Sequence, residues 1–156
     1  RVIATASSPE RAAFCRELGA EVVIERGAAK IHEAVRDATG GAGVDVVYDT
    51  AGGDAFTSAT KCIAHEGRLL VVGYASGQWG EVRVPHLVDR SYSVMGVQPS
   101  GYDRATRAAA HAELLAMRAS GRFRVPVGRV VPFDRTPDAV EDVASGDVLG
   151  KVAIEL

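Results

Sequence analysis

The sequence predicts an α/β fold with a doubly wound parallel sheet and helices on both faces. Strand-like and helical segments alternate from Arg1 to about residue 120. The strands are continuous apolar runs, as in parallel sheets that are covered on both faces. The stretch Gly43–Gly53 shows the pattern best, because the β-branched run Val44–Tyr48, predicted to be buried on both faces, ends at two glycines before a helix. Such a turn is either a nucleotide site or a plain strand-to-helix connection.

Length and composition narrow the possible functions. The 156 residues suffice for one domain with a core, and 47% hydrophobic with 24% charged residues is typical of soluble proteins. The net charge of −2 favours neither a nucleic-acid surface nor a polybasic membrane patch. No apolar run approaches the roughly 18 residues of a membrane span, and no signal peptide is visible. Cys15 and Cys62 fit no disulfide or metal spacing, which predicts reduced core thiols in a cytoplasmic protein.

The first elements follow from local signals. Arg1–Thr5 is strand-like, and the start at Arg1 without a methionine predicts a piece of a longer protein. Ser8 is expected to cap a helix that has Pro9 at its first position and Gly19 after its end. The next elements are predicted at Val22–Ile24 (strand), Lys30–Thr39 (helix), Val44–Tyr48 (strand), Asp54–Ala64 (helix), Arg68–Gly73 (strand), Pro85–Val88 (turn or short helix) and Tyr92–Val97 (strand).

The last part of the chain begins with a long helix. Asp103–Ser120 has helical periodicity, with Ala109, Ala112 and Leu115 on the expected inner face. The remaining predictions are a strand at Gly128–Phe133, a helix at Pro137–Ala144 and a strand at Val152–Leu156.

A dinucleotide-binding fold normally opens with a strand and a GxGxxG turn that holds the pyrophosphate. The chain lacks this pattern, so either it is a different fold or its first strand precedes Arg1. In the second case an acidic residue after Arg1–Thr5 would bind the ribose 2′-hydroxyl of NAD. Ser7, Ser8 and Arg11 stand there instead, and they suit a 2′-phosphate. The alternative is that Ser8 only caps the helix and Arg11 is a solvated surface residue.

Six segments, in order and at matching distances, carry a resemblance to one family. They read RVIATASSPERAAFCRELGAEVVI, GGAGVDVVYDTAGGDAF, EGRLLVVGYASG, SYSVMGV, VGRVVPF and DVLGKVAIEL. Together they resemble the cofactor-domain half of medium-chain dehydrogenase/reductases, in the zinc-independent NADPH:quinone oxidoreductase branch. The resemblance implies a Rossmann-like sheet that lacks its first strand and GxGxxG unit. Residues 1–124 would be a partial dinucleotide-binding domain, and residues 125–156 would return to a GroES-like catalytic domain outside this chain and pair with its sheet.

The resemblance also implies NADPH as cofactor and assigns residues to it. Ser7 or Ser8 with Arg11 matches the family's 2′-phosphate pair, and Arg26, at a position that is often tyrosine, either binds this phosphate or points outward. The family's turn under the adenosine matches Tyr48–Gly53. The expected contacts there and beside the nicotinamide are Thr50, Ala51 and Gly52, followed by Val72, Gly73 and Tyr74.

The activity implied for the whole protein is hydride transfer from NADPH to a quinone or enone, with no catalytic or metal-binding residue in this half. The chain alone is expected to be inactive. The alternatives are an enoyl reductase module of a fatty-acid or polyketide synthase, a relative of zinc-dependent alcohol dehydrogenases, and a nucleotide-binding protein without turnover. Tyr92–Val97 is expected to be the outer strand, through which the family forms a homodimer.

The remaining polar and aromatic residues receive structural interpretations. The four histidines are expected at the surface without catalytic or metal roles, and Asp45 and Asp49 are expected to cap or orient backbone. Ser76 has no GxSxG turn around it, which argues against a hydrolase. Trp79 lines either the cofactor cleft or a subunit contact.

Overall fold

A computed structural model describes residues 1–26 and 30–156. The helices and strands are β1 (Ile3–Ala6), α1 (Pro9–Glu17), β2 (Val22–Glu25), α2 (Ile31–Ala38), β3 (Val44–Asp49), α3 (Gly53–Cys62), β4 (Ile63–Val71), α4 (Val84–Arg90), β5 (Ser93–Gly96), α5 (Arg104–Ala119), β6 (Val127–Pro132), α6 (Thr136–Ser145) and β7 (Lys151–Glu155). Short 3-10 helices lie at Pro99–Gly101 and Phe133–Arg135.

The strands pair in parallel throughout the described part of the chain. β1 pairs with β2, and β3, β4 and β5 form a second group in that order. Helices connect successive strands, because parallel neighbours require a crossover. The predicted α/β fold with a parallel sheet is therefore confirmed, and β5 is the outer strand of its group.

Helix α3 ends two residues earlier than predicted, and strand β4 follows it directly instead of starting at Arg68. The helix ends at Cys62, and β4 begins at Ile63 because Ile63 already pairs with Val44. The register then shifts, so that Val46 lies opposite Arg68. The predicted strand at Arg68 is thus the regular part of a longer strand that starts before an irregular segment.

Two apolar clusters hold the first part of the fold together. The larger cluster contains Phe56 and Leu69, with exposed fractions of 1% and 0%, and is completed by Ala59, Ile63 and Tyr92. The second cluster packs α2 against the strands and consists of Ile24, Val35 and Cys62. Burying a large apolar side chain contributes about 1.5–3 kcal/mol, so these clusters are the main source of stability.

A groove of about 820 Å³ runs between β1 and β3. Within the described residues, each of these two strands pairs on one side only. Val46 and Tyr48 of β3 line the groove and are 44% and 66% exposed. The prediction that this strand is buried on both faces is therefore wrong for these two side chains, because β3 borders the groove instead of a further strand among the described residues.

The chain divides into two compact units, Arg1–Pro99 and Ser100–Leu156. In the second unit, β6 and β7 pair with each other in parallel, with Val131 opposite Ile154. Their predicted pairing with a further sheet, and the predicted boundary after residue 124, stay predictions. Helix α5 has no buried residue, so the predicted inner face is wrong in this structure. Periodicity predicted the apolar stripe but not what covers it.

The two cysteines are expected to react at very different rates. Cys62 is 3% exposed, and burial raises the pKa of its thiol, whereas Cys15 is half-buried. Because the thiolate is the reactive form, a chromogenic disulfide reagent near neutral pH should label Cys15 first. Labelling of Cys62 should be on the order of a hundredfold slower, since it requires local opening. In denaturant both rates should converge, and equal rates in the native protein would contradict the buried position of Cys62.

Candidate functional site

The carboxyl ends of the strands are aligned within each group of the first unit. Ala6 lies opposite Glu25 at the ends of β1 and β2, and Asp49 lies opposite Val71 at the ends of β3 and β4. The backbone N–H of Arg26 donates to the carbonyl oxygen of Ala6 at 2.8 Å. In open α/β sheets, ligands bind just beyond this edge.

Asp49 organises the turn that follows β3. Its side chain is buried, and Oδ1 accepts hydrogen bonds from the N–H groups of Ala51 and Gly52 at 2.9 and 3.1 Å. Its carbonyl oxygen accepts from Val72 N–H at 2.8 Å and Gly73 N–H at 3.3 Å. The prediction that Asp49 orients backbone is confirmed. The other oxygen, Oδ2, is buried without a hydrogen-bond partner among the described residues, and Asp49 lines the groove.

The segment 72–80, which we call the edge loop, is fixed onto this turn. Ala75 N–H donates to the carbonyl oxygen of Thr50 at 3.0 Å, and Ser76 N–H donates to that of Ala51 at 2.9 Å. Gly52 has a φ of 70°, and a Cβ there would overlap the carbonyl oxygen of Gln78. The glycine is therefore required by its backbone conformation and by the close approach of the loop.

Six of the ten predicted site residues come together in this way. The turn and the edge loop contain Thr50, Ala51, Gly52, Val72, Gly73 and Tyr74. A Cβ at Gly73 would lie 3.2 Å from the carbonyl oxygen of Thr50, which shows how closely the two backbones approach.

The residues after β1 form a separate group. Ser8 caps α1 as predicted, since its Oγ accepts from the N–H of Arg11 at 3.2 Å. Ser7 is exposed and Arg11 is half-buried. None of these three residues belongs to the described lining of the groove or of the second cavity.

The second cavity, of about 640 Å³, brings Arg26 together with Ala51 and Gly52. Its further lining residues, which sequence reasoning missed, include Lys30, His32, Asp54, Thr57, Ser58, Lys61, Ser76 and Gln78. Three permanent cations and one carboxylate in this lining favour an anionic ligand. The sequence carries no signal for this cluster beyond the rarity of lysine, because the meeting of two of the chain's three lysines depends on the packing of α2 against α3.

The described residues offer few groups for metal or acid–base chemistry. Among these residues, no group of three or more His, Cys, Asp or Glu side chains could hold a metal ion. His86 Nδ1 lies 3.1 Å from the phenol oxygen of Tyr92, and burial raises the pKa of that phenol. No helix in the described ranges has the length and apolar character to cross a membrane.

Comparison with known proteins identifies the family. Residues 1–115 match the sequence model of the family described as zinc-binding dehydrogenase. The chain belongs to the zinc-binding dehydrogenase family. All ten predicted site residues lie inside the matched range.

Related proteins and structures agree with this assignment. Quinone oxidoreductase-like protein 2 of Bos taurus is 31% identical over 159 residues, which cover 100% of this chain and 46% of the relative. A 2-haloacrylate reductase of a Burkholderia species is 40% identical over 83 residues, which cover 53% of this chain and 25% of the relative. The structure of Escherichia coli quinone oxidoreductase complexed with NADPH aligns with a TM-score of 0.89 at 26% identity, over 100% of this chain and 49% of that one.

The chain thus spans about half the length of the bovine relative and of the Escherichia coli structure, at 46% and 49%. The resemblance to the quinone oxidoreductase branch of medium-chain dehydrogenase/reductases and the Rossmann-like fold are confirmed.

Proposed function

We propose that this domain binds NADPH along the carboxyl edge of its sheet, and that the whole protein transfers hydride from NADPH to a quinone or enone. The observation that carries this proposal is the turn after β3 with the edge loop fixed onto it by backbone hydrogen bonds. It forms a rigid rim at the edge where nucleotides bind in such sheets. The NADPH bound by the Escherichia coli quinone oxidoreductase supports the choice of cofactor.

The donor set after β1 fits the 2′-phosphate of NADPH. Ser7 and Ser8 offer hydroxyl donors, and Arg11 supplies a cation one helical turn away. The segment from the end of β1 to Ser8 contains no carboxylate that would repel a phosphate. Arg26 adds a second guanidinium near this edge, because its N–H is bound to the end of β1. Charge-assisted hydrogen bonds of this kind are the strong ones.

The opposite end of the proposed site is uncharged. Val72, Gly73 and Tyr74 follow β4, and the edge loop contains no acidic or basic residue. Bound NADPH supplies the hydride, while the domain supplies binding and orientation. We assign no proton transfer to a residue of this half.

The groove between β1 and β3 suits one further parallel strand from the rest of the protein. Both walls are strands that pair on one side only in the described residues, and α2 and α3 contribute to its lining. A homodimer through the outer strand β5 and a cytoplasmic location also belong to the proposal. The competing functions stay an enoyl reductase module, a zinc-dependent alcohol dehydrogenase relative and a nucleotide-binding protein without turnover.

Replacement of Arg11 by alanine tests the cofactor assignment. Loss of a charge-assisted hydrogen bond costs about 1.5–3 kcal/mol, so kcat/KM for NADPH should fall roughly 10- to 150-fold while that for NADH changes little. Steady-state kinetics of the whole protein measure kcat/KM for each cofactor, and calorimetric titration measures the affinity for NADPH. Arg16→Ala is the matched control, because Arg16 is an exposed arginine of the same helix.

Three results would count against the proposal. Equal rates with NADH and NADPH, or an unchanged NADPH preference in Arg11→Ala, would remove the 2′-phosphate assignment. NADPH binding without turnover of any quinone or enone would favour the non-enzymatic alternative. Turnover confined to enoyl thioesters would favour the enoyl reductase.

A further inference from the structure

We infer that Trp79 and Tyr74 form a stacking platform for the flat, uncharged ring of a conjugated substrate. This inference rests on the proposed function. It adds a contact with the substrate to Tyr74, which that proposal places at the uncharged end of the cofactor site, and it gives a role to Trp79, which that proposal does not use. Of the two sequence-based interpretations of Trp79, it favours the cleft over the subunit contact.

The two rings lie against each other and remain open on one side. Their centroids are 4.1 Å apart with an interplanar angle of 33°. Trp79 is 62% exposed and Tyr74 is 49% exposed. An aromatic pair in this geometry is stable, yet it leaves ring surface available for a third planar group.

Trp79 is fixed by the residues on both sides of it. The carbonyl oxygen of Gln78 packs against Gly52, where no Cβ fits. On the other side, a Cβ at Gly80 would overlap the ring of Phe56, which is fully buried. Exposed aromatic side chains are normally mobile, whereas this one is carried on a backbone held at two points. Such preorganisation lowers the entropic cost of ligand binding.

The position of the pair connects it with the proposed hydride transfer. Tyr74 directly follows Gly73, whose N–H is bound to the carbonyl oxygen of Asp49 at the end of β3. Ser76 and Gln78 belong to the lining of the second cavity, which holds the three cations, but Tyr74 and Trp79 do not. The aromatic pair therefore lies beside the nucleotide edge and outside its cationic part, where an uncharged planar ring is preferred over an anion.

The fluorescence of Trp79 can report ligand binding, because Trp79 is the only tryptophan of the chain. Titration with duroquinone, a planar quinone without a free ring position for thiol addition, should quench its fluorescence along a saturable curve. The fluorescence lifetime should stay unchanged, as expected for a complex formed in the ground state. The non-planar, unconjugated 1,4-cyclohexanedione should have no effect. Linear quenching with a shortened lifetime would overturn the inference, because it shows collisions only.

Two variants retain Trp79 as the fluorescent reporter. Together they separate the loss of ring stacking from other effects of replacing a tyrosine. Tyr74→Leu should weaken duroquinone binding roughly two- to tenfold, which is the range of aromatic pair interactions. Tyr102→Leu removes a tyrosine that is 60% exposed and takes part in none of the described ring contacts, so it should leave the dissociation constant unchanged. Equal constants for the two variants would overturn the inference. A shift of Trp79 emission with protein concentration and without quinone would assign the pair to a subunit contact instead.

The titration contains no nicotinamide cofactor, so its failure differs from a failure of the proposed function. Absence of duroquinone binding with intact NADPH preference would refute the platform alone. Saturable duroquinone binding by a protein that shows no preference for NADPH over NADH would refute the cofactor proposal alone.

Discussion

Replacement of Gly52 by alanine is expected to destabilise the protein by about 2–6 kcal/mol and to displace the edge loop. Gly52 has a φ of 70° and a ψ of −161°, a backbone conformation essentially confined to glycine, and holding a residue with a Cβ there costs roughly 1–3 kcal/mol. The new methyl group would also overlap the carbonyl oxygen of Gln78, and overpacking of this kind typically costs about 1–3 kcal/mol more. Urea unfolding measures the loss as a lower transition midpoint.

Gly77→Ala is the matched control for this prediction. Gly77 lies in the same loop with a φ of 81°, but a Cβ there would meet no atom within 4 Å. It should therefore show only the conformational cost, of about 1–2 kcal/mol. Gly52→Ala alone should change the emission of Trp79, because Gln78 precedes that residue. Equal losses in both variants would show that the contact with Gln78 contributes nothing.

Local features of the fold could be predicted from sequence because they depend on short-range chemistry. Ser8, Pro9 and Arg11 illustrate this, since the cap is a hydrogen bond across three residues. The turn after β3 was predictable for the same reason, because a left-handed backbone is open to Gly52 at little cost. These two turns contain six of the ten predicted site residues.

Features that depend on long-range packing were beyond the sequence. Lys30 and Lys61 line one cavity because α2 and α3 pack together, with Arg36 Nε donating to the carbonyl oxygen of Lys61 at 3.0 Å. The exposure of Tyr48 is of the same kind, because an apolar strand pattern does not tell whether the strand borders a groove or another strand. Nothing in the local sequence around Gln78 indicates that its carbonyl oxygen lies against Gly52.

Replacement of Asp49 by alanine is expected to destabilise the domain by about 2–4 kcal/mol. Asp49 is 6% exposed, and its Oδ1 is the acceptor for two backbone donors, those of Ala51 and the buried Gly52. A buried donor left without an acceptor costs about 1–3 kcal/mol. Removal of the side chain also leaves a small cavity at the end of β3. Denaturant unfolding and hydrogen exchange at the N–H groups of Ala51 and Gly52 measure the effect, with faster exchange expected at both.

Asp49→Asn separates the hydrogen bonds from the charge. The amide oxygen can still accept from Ala51 and Gly52, while the amide nitrogen replaces Oδ2, which has no partner among the described residues. The variant should therefore retain most of the stability, with a loss of no more than about 1 kcal/mol and with exchange at both N–H groups close to that of the original domain. If alanine and asparagine were equally destabilising, the carboxylate charge rather than its two hydrogen bonds would stabilise the turn. Because the edge loop is bound to this turn at Thr50 and Ala51, the same comparison read through Trp79 emission shows whether Asp49 also holds the loop in place.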